Sequence, residues 1–171
     1  MKRIFAVSIL IGMLSTLQAE EIYQSPEKFL NNAFGNTPEA KRLILSGELA
    51  KEVKSILGHR YKKIRVPYWK AGCRTAWILE EIGKEHPITT GFVVNSQGLE
   101  KVKVLIFRES RGWEVKHEFF TKQFTNAKLT KDKKLDKHID NISGATLSVR
   151  AVTDISKIAL LLHGHVTEES C

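Results

Sequence analysis

From Lys62 onward the sequence changes its period, and that change restricts the fold more than any other feature. The runs "KKIRVPYW", "CRTAWILEEI", "PITTGFVVN", "KVKVLIFRES" and "GWEVKHEFF" are short and rich in β-branched and aromatic residues, so each is read as a strand of one mostly antiparallel sheet. "NSQG", Asn95 to Gly98, separates two of them and has the composition of a hairpin turn. In "KVKVLIF" the alternation of Lys101 and Lys103 with Val102, Val104 and Ile106 predicts one wet and one buried face.

The flanks carry a helical period. "SPEKFLNNAF" offers Ser25 as an N-cap with Pro26 at the first helical position, and "TPEAKRLIL" repeats the device at Thr37 and Pro38. "ELAKEVKSIL", between Gly47 and Gly58, spaces Leu49, Val53, Ile56 and Leu57 on one face. Two or three short helices are expected before residue 60. "TKDKKLDKHID" is too charged for a core and reads as a surface connection with a helical turn. From Leu147 to His163, Val152, Ile155, Ala159 and Leu162 recur at three- and four-residue spacing, the pattern of a packed helix, and "GHVTEESC" reads as a loose tail. The fold class is α+β: N-terminal short helices, a mostly antiparallel sheet and a C-terminal helix.

With 171 residues, 42% of them hydrophobic, the chain suits one domain with its own core. Residues 1–19, "MKRIFAVSILIGMLSTLQA", place Lys2 and Arg3 before the apolar run Ile4 to Leu17. They read as a secretory signal peptide cleaved after Ala19, because the run is shorter than the roughly 20 residues that a spanning helix needs. The expected organisation is therefore signal 1–19, helical region 20–61, a main domain over 62–165 and a tail 166–171, with a periplasmic location. Losing Lys2 and Arg3 lowers the formal charge from +8 to +6. Export argues against a nucleic-acid partner, and the scattered lysines read as solvated surface. Cys73 and Cys171 have none of the close spacings of metal or redox sites. Export would permit a bridge between them, while the terminal position of Cys171 weighs against it. His163 and His165 have no carboxylate or thiol neighbours in sequence to complete a ligand set, so no metal site is expected.

"DNISGATLS", Asp140 to Ser148, stands at the mouth of the last helix. Ser143 or Thr146 could simply cap that helix. A cap, however, has no need of two consecutive minimal side chains, and Gly144 and Ala145 would let a bulky group approach the backbone. A helix N-terminus also offers unpaired N–H groups to a phosphate. The turn thus reads as a small-walled anion site with hydroxyls at hand, and capping stays open beside it.

The stretch resembles the D-x-x-S/T-G-A-T-x-S/T flavinylation motif of the FMN-binding domain family, found in subunits of sodium-pumping and Rnf-type redox complexes and in small exported proteins. "FRESRGWEV", Phe107 to Val115, is similar to that family's aromatic-R-E-x-x-G-W-E-I segment, and Gln123–Phe124 to its Gln-Phe step. The resemblance implies that Thr146 carries FMN through a phosphoester installed by a separate Mg-dependent flavin transferase with FAD as donor. It implies that Ser143, Gly144, Ala145 and Ser148 line the phosphate and ribityl chain, and that Glu109, Gly112 and Trp113 lie near the flavin. An ordinary core position is the competing reading for Trp113, and Trp69 and Trp77 read as core or rim aromatics. Asp140 is assigned either to recognition by the transferase or to holding the turn through its side-chain acceptors.

The function implied is a periplasmic electron-transfer flavoprotein, a carrier more than a stand-alone enzyme, with no catalytic residue of its own. Its partners would be the transferase and a membrane-bound or periplasmic redox protein. Peripheral membrane contact is left open by the basic charge. Two alternatives are a flavin-dependent reductase of a small substrate, which lacks a second domain for a substrate site, and a non-redox exported binding module.

Overall fold

The computed structural model describes residues 20–167. The signal-peptide reading of residues 1–19 and most of the expected tail lie outside the described residues. Six strands form one sheet in the order β1-β6-β5-β4-β3-β2, with every neighbouring pair antiparallel. They are β1 (Glu21–Ile22), β2 (Lys41–Ile44), β3 (Arg65–Ala71), β4 (Arg74–Ile82), β5 (Pro87–Asn95) and β6 (Gly98–Phe107). The helices are α1 (Pro26–Phe34), α2 (Gly47–Leu57), a single turn α3 (Glu118–Thr121) and the long α4 (Thr146–Thr167). The α+β class is as expected.

The two faces of the sheet bury different clusters. On one, Trp77, Leu79, Phe92, Val102 and Val104 pack with Val152, Ile155, Ile158 and Leu162 of α4, with Val53 of α2, and with Val115, Phe120 and Phe124. On the other, α1 lays Phe29 and Leu30 on Ala76, Val93 and Leu105. Gly91 permits that second contact, since a Cβ there would lie 2.7 Å from the Phe29 ring. The alternation read in β6 holds through Val104. Leu105 and Ile106 then both join the α1 face, at a register shift between Thr89 and Thr90 of β5, and Phe107 returns to the main core. The "NSQG" hairpin forms as read, with Asn95 opposite Gly98.

Four expectations are corrected. "TPEAKRLIL" is not a helix: Thr37 donates its hydroxyl to Asn31 Oδ1 at 2.6 Å instead of capping, and β2 pairs Leu43 with Val66 at the sheet edge. The segment before residue 62 therefore contributes two helices and also both edge strands. "GWEVKHEFF" is not a strand but a 3-10 turn over Trp113–Lys116 followed by α3. Gly112, at φ +84, turns the chain out of the sheet direction, and Val115, Phe120 and Phe124 then face inward at turn-like spacing. "TKDKKLDKHID" has no helical turn; it folds back through the bridge Leu129↔Leu135. Finally, α4 continues to Thr167, so residues 164–167 of the segment read as a loose tail are helical. The Thr167 hydroxyl donates to His163 O at 2.6 Å, and Lys70 Nζ donates to Val166 O at 2.7 Å, giving this end carbonyl partners.

Cys73, at the β3–β4 turn, is disulfide-bonded. The chain's other cysteine, Cys171, lies outside the described residues. Trp77 is fully buried and stacks on Tyr68 at 5.0 Å, as a core aromatic should. Among the described residues no helix is long and apolar enough to cross a membrane, and no group of three or more His, Cys, Asp or Glu could hold a metal ion.

Candidate functional site

The motif turn is built by its own backbone. Ala145 N donates to Ile142 O at 2.9 Å, closing a turn whose third residue, Gly144, sits at φ +82. A positive φ at that position suits glycine. A Cβ on Gly144 would meet nothing within 4 Å, so the glycine answers to backbone conformation, and the space above it is open. Ala145 is buried; its carbonyl accepts from Val149 N at 2.9 Å, which starts α4. The first turn of α4 has no acidic residue to occupy the positive end of its dipole.

That helix end opens on a cleft of about 540 Å³ lined by Lys84, Glu109, Ser110, Arg111 and residues 144–148. The volume falls within the roughly 300–1,000 Å³ usual for small-molecule and cofactor sites. Thr146 is exposed at its mouth, where its Oγ1 accepts a hydrogen bond from Asn141 Nδ2 at 3.0 Å. Ser148 is buried in its wall. Lys84 and Arg111 bring two cations to the lining, the Lys84 ammonium lying 3.0 Å from Glu85 Oε1.

Glu109 and Gly112 also shape this cleft. One carboxylate oxygen of Glu109, Oε1, accepts the backbone amides of Lys84, Glu85 and His86, the latter two at 2.7 and 2.9 Å. This clamps the β4–β5 turn and holds the segment bearing Lys84 at the cleft. Gly112 packs against the motif so closely that a Cβ would stand 2.4 Å from Ser148 Oγ.

The structure thus gathers Gly144, Ala145, Thr146, Ser148 and Glu109 around one cleft, with Gly112 directly behind Ser148. Ser143 is exposed within the turn. Asp140 stays outside the lining: its carboxylate lies 3.6 Å from His138 Nε2, and its backbone N donates to Gln123 Oε1 at 2.7 Å. Trp113 is neither in the core nor in the lining. It is 45% exposed, edge-on to His117 with ring centroids 5.5 Å apart. Sequence reading missed Lys84, Ser110, Arg111 and Leu147. Ser110 and Arg111 occupy the two unspecified places of the R-E-x-x-G-W segment, which was the available signal; Lys84 had none.

An α+β sheet with a cation-flanked cleft at the N-terminus of its longest helix defines a binding domain for a phosphate-bearing cofactor. The family is supplied by comparison: residues 83–161 match the family model of the FMN-binding domain, a stretch that contains every cleft residue named above, so this chain carries an FMN-binding domain. No curated protein and no solved structure matches the chain. The residues present fit the cofactor, since the open space over Gly144, the free first-turn N–H groups and the two cations suit a phosphomonoester.

Proposed function

We propose that this FMN-binding protein is exported and transfers electrons, with its FMN joined through a phosphoester to Thr146 by a separate flavin transferase. The observation that carries this reading is the position of Thr146: its hydroxyl stands at the mouth of the cofactor cleft, on the first residue of α4, and is held from behind by Asn141.

In the attachment step, Thr146 Oγ1 forms a bond to the phosphorus of the FMN half of FAD. The P–O bond to the AMP half breaks, and AMP leaves. The hydroxyl proton goes to a base on the transferase, since the group touching Oγ1 here, the Asn141 amide N–H, is a donor and cannot accept it. Once bound, the flavin supplies reversible electron chemistry that no side chain of the site possesses. The chain's own residues would bind and orient it: the α4 N–H groups, Lys84 and Arg111 would hold the anionic end, and the Glu109 clamp fixes the β4–β5 turn.

Export is supported by the basic and apolar character of residues 1–19. A covalent bond would keep the cofactor in a compartment where a dissociated flavin could not be replaced. The redox partners in this reading are membrane-bound or periplasmic. Intact mass of the chain coexpressed with a flavin transferase tests it. The expected gain is one FMN less one water, abolished in Thr146→Ala. Unmodified wild-type chain beside a modified control substrate, or undiminished flavin in the variant, would overturn the covalent form.

A further inference from the structure

We propose that the aromatic ledge Trp113, His117 and Phe119, together with Lys101, Lys103 and Lys116, docks on an anionic membrane surface. Trp113 and Phe119 are 45% and 61% exposed, and His117 links them with ring centroids 5.5 and 6.0 Å away. Aromatics grouped this way on the outside of a domain mark an interaction surface. An apolar ring body beside a polar tip suits the headgroup level of a bilayer.

The charges beside the ledge point the same way. Lys101, Lys103 and Lys116 line one groove of about 300 Å³ with two carboxylates, but both carboxylates are taken. Glu118 pairs with Lys122 at 2.6 Å, and Glu100 accepts Arg74 Nε at 2.7 Å. No ion pair to a carboxylate holds the three lysines among the described residues. Lys116 instead sets its ammonium 4.2 Å above the Tyr23 ring and 5.0 Å from that of Trp113. This cation–π contact keeps a positive charge at the aromatic ledge without a carboxylate to neutralise it, which suits a negatively charged leaflet.

Charge complementarity sets the occupant: three lysines without an ion pair to a carboxylate among the described residues, beside exposed aromatics, match the anionic headgroups and the interfacial level of a bilayer. Trp113 is also the residue after Gly112, which touches Ser148 in the cleft wall. Docking here would set the FMN cleft beside the membrane, within reach of a membrane-held donor. That last consequence rests on the electron-transfer reading; the docking itself does not.

The test is flotation of the soluble exported protein with vesicles of equal parts phosphatidylcholine and phosphatidylglycerol, run on flavin-free and flavin-loaded preparations, so that failure of docking is separable from failure of flavin attachment. Binding to these vesicles and not to pure phosphatidylcholine is expected. A basic residue near an anionic surface contributes roughly fivefold, so Lys101→Gln with Lys103→Gln should lower the partition by roughly 25-fold. Phe119→Ser should weaken it independently, and lipids with brominated chains should quench Trp113. The proposal is overturned if the protein ignores the anionic vesicles, binds neutral ones equally, or binds undiminished in the lysine variant. Lysine-dependent binding confined to acidic proteins would overturn it too, and would assign the surface to a protein partner.

Discussion

Gly112 and Ser148 approach each other so closely that no side chain can be added to the first without displacing the second: a Cβ on Gly112 would lie 2.4 Å from Ser148 Oγ and 3.1 Å from Ser148 Cβ. Gly112 also has φ +84, a conformation strained for any L side chain. Gly112→Ala should therefore cost about 2 to 4 kcal/mol, strain and overpacking together. Adding Ser148→Ala removes the nearer atom and should recover part of that loss, so the two substitutions will not add. Urea unfolding of the four proteins in this cycle measures the coupling. Strict additivity would show that the contact is not what fixes glycine at 112.

Glu109 presents a different dependence. Its Oε1 serves the amides of Lys84, Glu85 and His86 at once, and a neutral acceptor serves such donors about half as well as a charged one. Glu109→Ala should cost about 1 to 3 kcal/mol, reduced to the extent that water reaches the turn, and Glu109→Gln should cost less. Hydrogen exchange at those three amides should accelerate in the same order. Unchanged exchange in Glu109→Ala would mean that the turn holds without the clamp.

These two relationships show where a linear reading stops. Alternation made β6 legible as far as Val104, but the shift that turns Leu105 and Ile106 to the same face arises in its pairing with β5. The composition of "GWEVKHEFF" serves a strand or a helical turn equally well. What decided was that Val115, Phe120 and Phe124 all had to reach one core after a left-handed glycine. The motif from Asp140 to Ser148 was legible because its contacts are local: Ile142 to Ala145, Asn141 to Thr146. Lys84 was not, because its place depends on a carboxylate 25 residues away. The four-residue edge strand β2 was hidden behind a convincing helix-start signal at Thr37 and Pro38 for the same reason, since its partner β3 lies far along the chain.

Asn141 and Asp140 should separate orientation from recognition. Asn141 Nδ2 touches the attachment hydroxyl, whereas the Asp140 carboxylate points to exposed His138 and makes no bond to the turn. Asn141→Ala loses one exposed hydrogen bond, worth about 0.5 to 1 kcal/mol, and should slow flavin incorporation by about two- to fivefold as Thr146 loses its preferred orientation. Asp140→Ala should leave the unfolding midpoint within about 0.5 kcal/mol of wild type. If the transferase reads Asp140, incorporation will nevertheless fall. Time courses of in-gel flavin fluorescence beside thermal unfolding give both quantities, and a large stability loss in Asp140→Ala would return that residue to a turn-holding role.

At the opposite end of α4, His163 couples the helix to the core through a hydroxyl. Trp77 Nε1 donates to Thr75 Oγ1 at 2.9 Å, and Thr75 Oγ1 lies 2.8 Å from His163 Nδ1, so the hydroxyl proton is available to an imidazole that accepts it. Burial, reinforced by the nearby Lys70 ammonium, holds the His163 pKa below its ordinary 6.5. The unfolded chain therefore binds a proton that the folded chain refuses. The stability owed to neutral His163 is complete above pH 6.5 and is lost as the pH falls from there through the folded value. His59, which is raised first by its bond to the Arg60 carbonyl and then by Glu81, acts in the opposite sense. It must therefore be cancelled by comparison with a variant that retains it. The wild-type advantage over His163→Gln in urea midpoint should be greatest above pH 6.5 and shrink on acidification, while an advantage independent of pH would show that this imidazole does not resist protonation.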